Sequence, residues 1–259
     1  VSDPLAVIAE LPGVPEAVDE ARQAVDRLYR HRVLRRRSPE VSIESSLRGA
    51  RASAAIEGVD VPLEQLRRGE VTDPVVQGAL RASAELGRLG PTWRSAPRQV
   101  LARLHTLAAR DLAEEESLGR PRVADSAPDP LGLGPAPGAK ETAARLEALV
   151  ALVSAPSKAP ALVLGAIVHA ELAVLRVFGT ADGVVARAAE RLTLVEFGLD
   201  PKSLVPVELG HLEEGYAAGL RAYLTGTRDG VASWVRRCAG AVIVGVRETT
   251  AICEALQRG

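Results

Sequence analysis

The stretch Ala159 to Leu175 is the most apolar in the chain, and a Gly/Thr/Asp-containing turn and a second helical run follow it at once. A run of that length is about one helix. It is slightly short of the roughly 20 residues a membrane span needs, and His169 and Glu171 interrupt it. The spacing therefore predicts a buried core helix, reversed through Gly179-Thr180-Ala181-Asp182-Gly183 into a partner helix. A helix that is apolar on all sides must be wrapped by other helices, so this one segment already demands a layered helical domain.

The rest of the chain supplies them. Of 259 residues, 47% are hydrophobic and only 3% aromatic, so the core has to be built from Leu, Val and Ala, which favours helices over strands. The net charge of -1 gives no global field for nucleic acid or an anionic membrane, and few aromatics are left to stack on bases. The basic run from Tyr29 to Arg37 is followed by Glu40 and Glu44 and reads as a solvated helix end. Cys238 and Cys253 would lie roughly 22 Å apart on one helix, too far for a disulfide. Two lone thiols and the lack of a signal-like start suit a reducing cytoplasm.

Helical spacing and breakers place helices over Pro15–Leu34, Ser38–Ile56, a short one at Val61–Leu66, then Pro74–Leu89 and Pro97–Leu112. Gly90-Pro91 is expected to end the fourth. Residues 116–138 carry many prolines and glycines. They are too long for an idle connection and are expected to form a functional loop or to be disordered, with an extended piece at Gly119–Val123. Helices resume over Ala139–Val153, Ala159–Leu175, Gly183–Phe197, Val207–Leu224 and Gly230–Leu256. The last contains Ala232, Ala239, Gly240, Ala241 and Gly245. Such small residues allow close packing, either to seal the domain or to form a homodimer face.

Backbone physics makes Gly179 to Gly183 a candidate anion site, because a helix N-terminus presents unpaired N–H groups. The plainer reading is that Thr180 or Asp182 caps the following helix. No metal-ligand spacing is apparent. His169-Ala170-Glu171 has the His-x-Glu form of zinc deaminases, yet no Pro-Cys-x-x-Cys follows, and His31, His105 and His211 are scattered. His169 itself reads as a satisfied core histidine.

The segment from Arg176 to Arg187 resembles the signature of the Fic family, His-Pro-Phe-x-Asp/Glu-Gly-Asn-Gly-Arg-x-x-Arg, whose members usually transfer AMP from ATP to a protein hydroxyl. Phe178, Gly183 and Arg187 match without a gap. Upstream, Ser53, Glu57 and Gly58 match the family's inhibitory helix, Ser/Thr-x-x-x-Glu-Gly/Asn. The resemblance implies an all-α Fic-like fold with one short hairpin or flap loop over most of residues 1–225. Its implied parts are N-terminal helices (1–95), a core (96–225) and a C-terminal helix packed on it (226–259). It also implies a pair between Glu57 and Arg187, and a target-binding flap at Gly119–Ala127, where Pro121 lacks a strand donor.

The same alignment puts Arg176 where the family has its catalytic His, Thr180 at its metal carboxylate, Asp182 at its Asn and Val184 at its first Arg. Guanidinium stays protonated and cannot serve as a base. A neutral hydroxyl is a poor sole protein ligand for Mg²⁺. Asp182 sets negative charge where phosphate would sit. Arg176 is left to bind an anion, to pair with Glu57 or Asp182, or to extend into solvent. The expectation is a chain unable to transfer AMP, with no catalytic residue, no resident cofactor and no metal. It would bind a protein partner or anionic small molecule around Phe178, Gly179, Thr180, Ala181, Asp182, Gly183 and Arg187, and neither nucleic acid nor membrane. The alternative is a Fic-type nucleotidyltransferase or ATP-binding regulatory module with altered chemistry.

Overall fold

A computed structural model describes residues 3–259. Among them are twelve α-helices and no strand. These are α1 (Pro4–Ala9), α2 (Val14–Tyr29), α3 (Leu34–Ile56), α4 (Leu63–Arg67), α5 (Pro74–Trp93), α6 (Pro97–Ala109), α7 (Ala139–Ser154), α8 (Ala161–Leu175), α9 (Asp182–Glu196), α10 (Glu208–Leu212), α11 (Tyr216–Leu224) and α12 (Arg228–Arg258). No helix among the described residues is long and apolar enough to cross a membrane.

The apolar segment behaves as its composition requires. Every residue of α8 except Ala161 and Glu171 is buried. α9 lies along it, and α12, α7, α11 and α1 also touch it. On the far side of α9, α5 packs with α6 and α3. α12 runs along α2, α11 and α10, and its small residues are consumed inside the chain. Gly210 of α10 sits so close to Ala241 that a Cβ would lie 2.6 Å from the alanine's own. Ala232, Ala239, Ala241 and Gly245 are buried, while Gly240 is exposed.

Several boundaries differ from the expected ones. α1 was not anticipated, although its signal was present: Asp3 accepts from the Leu5 and Ala6 N–H groups ahead of Pro4 at the first turn. The same Asp-Pro pair at Asp73-Pro74 starts α5. α2 ends at Tyr29, five residues before the expected end, and a tight turn leads into Leu34. α3 is kinked at Arg37 (φ -117°, ψ 18°), so the expected start at Ser38-Pro39 is a bend between two helical pieces. Gly90-Pro91 does not end α5, which continues to Trp93. Pro91 removes one helical N–H donor, and Trp93 is fully buried beyond it. The single helix expected over Val207–Leu224 is two, because the chain turns through Gly215 at φ 92° before Tyr216.

Residues 110–138 form an ordered but irregular loop whose flap segment pairs in no strand ladder. One backbone bond, from the Arg122 N–H to the Val177 carbonyl (2.8 Å), ties it to the turn after α8. The Arg122 guanidinium then donates to the carbonyls of Leu175 (3.0 Å) and Arg176 (2.8 Å) at the α8 C-terminus, where a cation and donors are favoured, and to Pro137 (2.6 Å).

Candidate functional site

The turn between α8 and α9 is built by three left-handed residues: Arg176 (φ 48°), Gly179 (φ 78°) and Ala181 (φ 52°). Gly179 takes this conformation without strain, whereas for Arg176 and Ala181 it costs about 1–2 kcal/mol each. The turn is held from inside. The Asp182 carboxylate accepts from the Phe178 N–H (2.9 Å), so it braces the turn backwards rather than capping α9. Burial pushes that carboxyl up to about 7, against the pull of the Phe178 and Gly179 N–H groups.

Phe178 stacks flat on the His105 ring of α6, centroids 4.1 Å apart. His105 Nδ1 accepts from the Gly119 N–H (2.9 Å), which leaves Nε2 as the donor to Thr180 Oγ1 (3.0 Å). Burial pulls this imidazole down to about 4, so it is neutral at physiological pH. The hydroxyl at the position of the family's metal ligand is thus already engaged by a neutral ring. Nothing in the sequence singled out His105 for that role.

Arg187, on α9, is wholly buried. Its Nε donates to Ser53 Oγ (2.9 Å), and one terminal nitrogen donates to the Ser53 carbonyl (3.1 Å) and to Glu57 Oε1 (2.5 Å). The other reaches the Tyr216 hydroxyl (3.3 Å). The Glu57–Arg187 pair is therefore formed, and it joins the end of α3 to the start of α9. It also explains Gly183, since a Cβ there would overlap Glu57 Oε1 and lie 3.1 Å from the Arg187 guanidinium. Gly58, by contrast, has open space and serves as the left-handed residue that ends α3 (φ 94°). Val184 is buried in the core.

Arg176 neither reaches solvent nor pairs with Glu57 or Asp182. It is 5% exposed and turns into the irregular loop. There it donates to the carbonyls of Gly134 (2.8 Å) and Pro128 (3.3 Å) and pairs with Asp129 (3.3 Å). Asp129 in turn accepts from the Leu133 and Gly134 N–H groups. Arg176 Nε is buried without a partner.

Between this strap and the turn lies a cavity of about 170 Å³, lined by Glu57, Asp129, Leu131, Arg176 and residues Gly179 to Gly183. Small-molecule sites usually measure roughly 300–1,000 Å³, so this cavity is small by comparison. Thr180 is neutral and engaged by His105, and Asp182 accepts from the turn's own Phe178 N–H group.

Behind Arg187 lies a cluster that the separate sequence positions did not reveal. Tyr216 hydrogen-bonds His169 Nε2 (2.6 Å), and His169 Nδ1 and His211 Nε2 each lie 2.7 Å from the same oxygen of Glu190. All four residues are buried. His169 is pulled down to about 4 by burial, against the pull of Glu190. Desolvation acts to raise the Glu190 carboxyl, but His211 and His169 together outweigh it and hold it well below the usual range.

No protein-family model matches the sequence, and no curated protein does either. Solved structures do match. One is the crystal structure of a Fic family protein from Desulfovibrio desulfuricans G20, with TM-score 0.73 and 22% identity over 91% of this chain and 74% of that one. Another is Fic-1 from C. elegans, with TM-score 0.70 and 17% identity over 93% and 73%. At these identities the likeness is one of fold: the chain has the Fic fold.

Proposed function

We propose that this Fic-fold chain does not transfer AMP by the family's usual chemistry, and that it acts by binding an anionic ligand or an acidic group of a protein partner at the turn between α8 and α9. The observation that carries this reading is Arg176. At the place of the expected base stands a permanently charged guanidinium, buried, bonded to the strap and with Nε unpartnered. The first residues of α9, whose N–H groups lack partners within the helix, line the same cavity. A phosphate or carboxylate matches those donors, against the charge of Glu57 and Asp129 on the same lining.

Calorimetry with inorganic phosphate, AMP, ADP and ATP, each with and without Mg²⁺, tests the reading. We expect binding of small anions that is independent of Mg²⁺ and lost in Arg176→Ala. Labelled ATP incubated with cell lysate should leave no label on protein. Labelling that requires this protein and appears only with it would establish the transferase reading instead.

A further inference from the structure

We propose that His169, Glu190 and His211 form a buried transition-metal site of the zinc type in the core of the molecule. It is separate from the turn where a Fic signature would place its metal. The positions 169, 190 and 211 have no recognisable ligand spacing, but the fold brings them together from α8, α9 and α10. His169 Nδ1, His211 Nε2 and a Glu190 carboxylate oxygen all lie within 4.8 Å of one another, and all three residues are buried. Two imidazoles and a carboxylate are a donor set that zinc takes.

The surroundings have the form of a closed structural site. Tyr216 hydrogen-bonds His169 on the nitrogen opposite the cluster, which fixes that ring's orientation. The Trp234 ring covers both imidazoles, its centroid 5.0 Å from that of His169 and 5.8 Å from that of His211. His211 Nδ1 is buried without a partner, so hydrogen bonds within the chain do not close the network. Tetrahedral bonds of 2.0–2.2 Å set ligand atoms roughly 3.3 Å apart. The two 2.7 Å nitrogen–oxygen contacts must therefore widen by about 0.6 Å, and the ring protons that now bridge to Glu190 must leave or move to the opposite nitrogen.

The site would staple α10, a helix of five residues, onto α8 and α9.

The test is metal content and metal-dependent stability of the full chain. Protein from zinc-supplemented cells is expected to carry about one zinc per chain by mass spectrometry. After unfolding with EDTA, refolding with excess Zn²⁺ should raise Tm by about 5–10 °C over refolding with EDTA alone. The Co²⁺-loaded protein should show tetrahedral visible bands. Glu190→Gln and His211→Asn should each lose the metal. The proposal is overturned if the unaltered protein holds no metal and melts alike in Zn²⁺ and EDTA, a readout that does not depend on any variant folding. It is overturned equally if zinc remains stoichiometric in Glu190→Gln and His211→Asn, or if the Co²⁺ protein lacks the tetrahedral bands.

Discussion

Two buried arginines flank the turn between α8 and α9, and they do opposite things. Arg187 is gripped by side chains and a carbonyl of regular helices: Ser53 and Glu57 at the end of α3, and Tyr216 at the start of α11. Arg176 is gripped by an irregular loop, through two carbonyls and Asp129. The first fixes helices to each other and belongs to the core's global stability. The second fastens a strap over a cavity, and its loss would be felt locally. A buried guanidinium is thus not one kind of feature: its consequence depends on whether its partners can move independently of the core.

The strongest way to break this contrast is to remove each arginine. Arg187→Ala leaves Glu57, Ser53 and Tyr216 without their partner and should cost about 3–5 kcal/mol of unfolding free energy by urea titration. Arg176→Ala should cost less, about 1.5–3 kcal/mol by the charged hydrogen bonds it loses. Its signature should be rapid hydrogen exchange and proteolysis over residues 124–137, with α3 and α9 still protected. If the two variants lose protection over the same segments, the contrast fails.

Gly183→Ala sharpens the first half. The added methyl should displace Glu57 and cost about 1–3 kcal/mol by overpacking. In a Glu57→Ala background the same change should cost much less, and a double-mutant cycle reads the difference.

The smallest effect concerns pH. Asp182 holds a proton in the folded state up to about 7, whereas the unfolded chain loses it in the ordinary carboxylate range. Its contribution is therefore complete below that range and is lost as pH rises through about 7. Asp182→Asn should gain on the order of 1 kcal/mol over the unaltered protein near pH 8 and nothing near pH 4. His105 and His169, both pulled down, act with the opposite sign in an overlapping interval, so the difference between variant and parent is the quantity to measure.

The sequence was most readable where one interaction range sufficed. The all-round apolarity of α8 announced a wrapped core helix, and Asp73-Pro74 marked the start of α5. The helix-turn-helix with Gly183 and Arg187, together with Ser53 and Glu57 upstream, pointed to the fold and to the pair that joins α3 to α9. What stayed hidden depends on tertiary contact. Asp129 gives no sign of holding Arg176, because it sits in a proline-rich loop without periodicity. His105 looks like any residue of an amphipathic helix until Phe178 is stacked on it. His169, Glu190 and His211 lie on three helices, and no linear spacing encodes their meeting. Gly90-Pro91 misled for a related reason, since burial of Trp93 outweighs one lost helical bond.

The turn's unusual residues have each acquired an occupation. Arg176 anchors the strap, Thr180 receives His105, Asp182 braces Phe178, and Val184 fills the core. The four positions are therefore not independent of their surroundings: each single replacement would first dismantle a contact that holds the present turn, so exchange of the whole segment together with its strap disturbs the structure less than four separate steps.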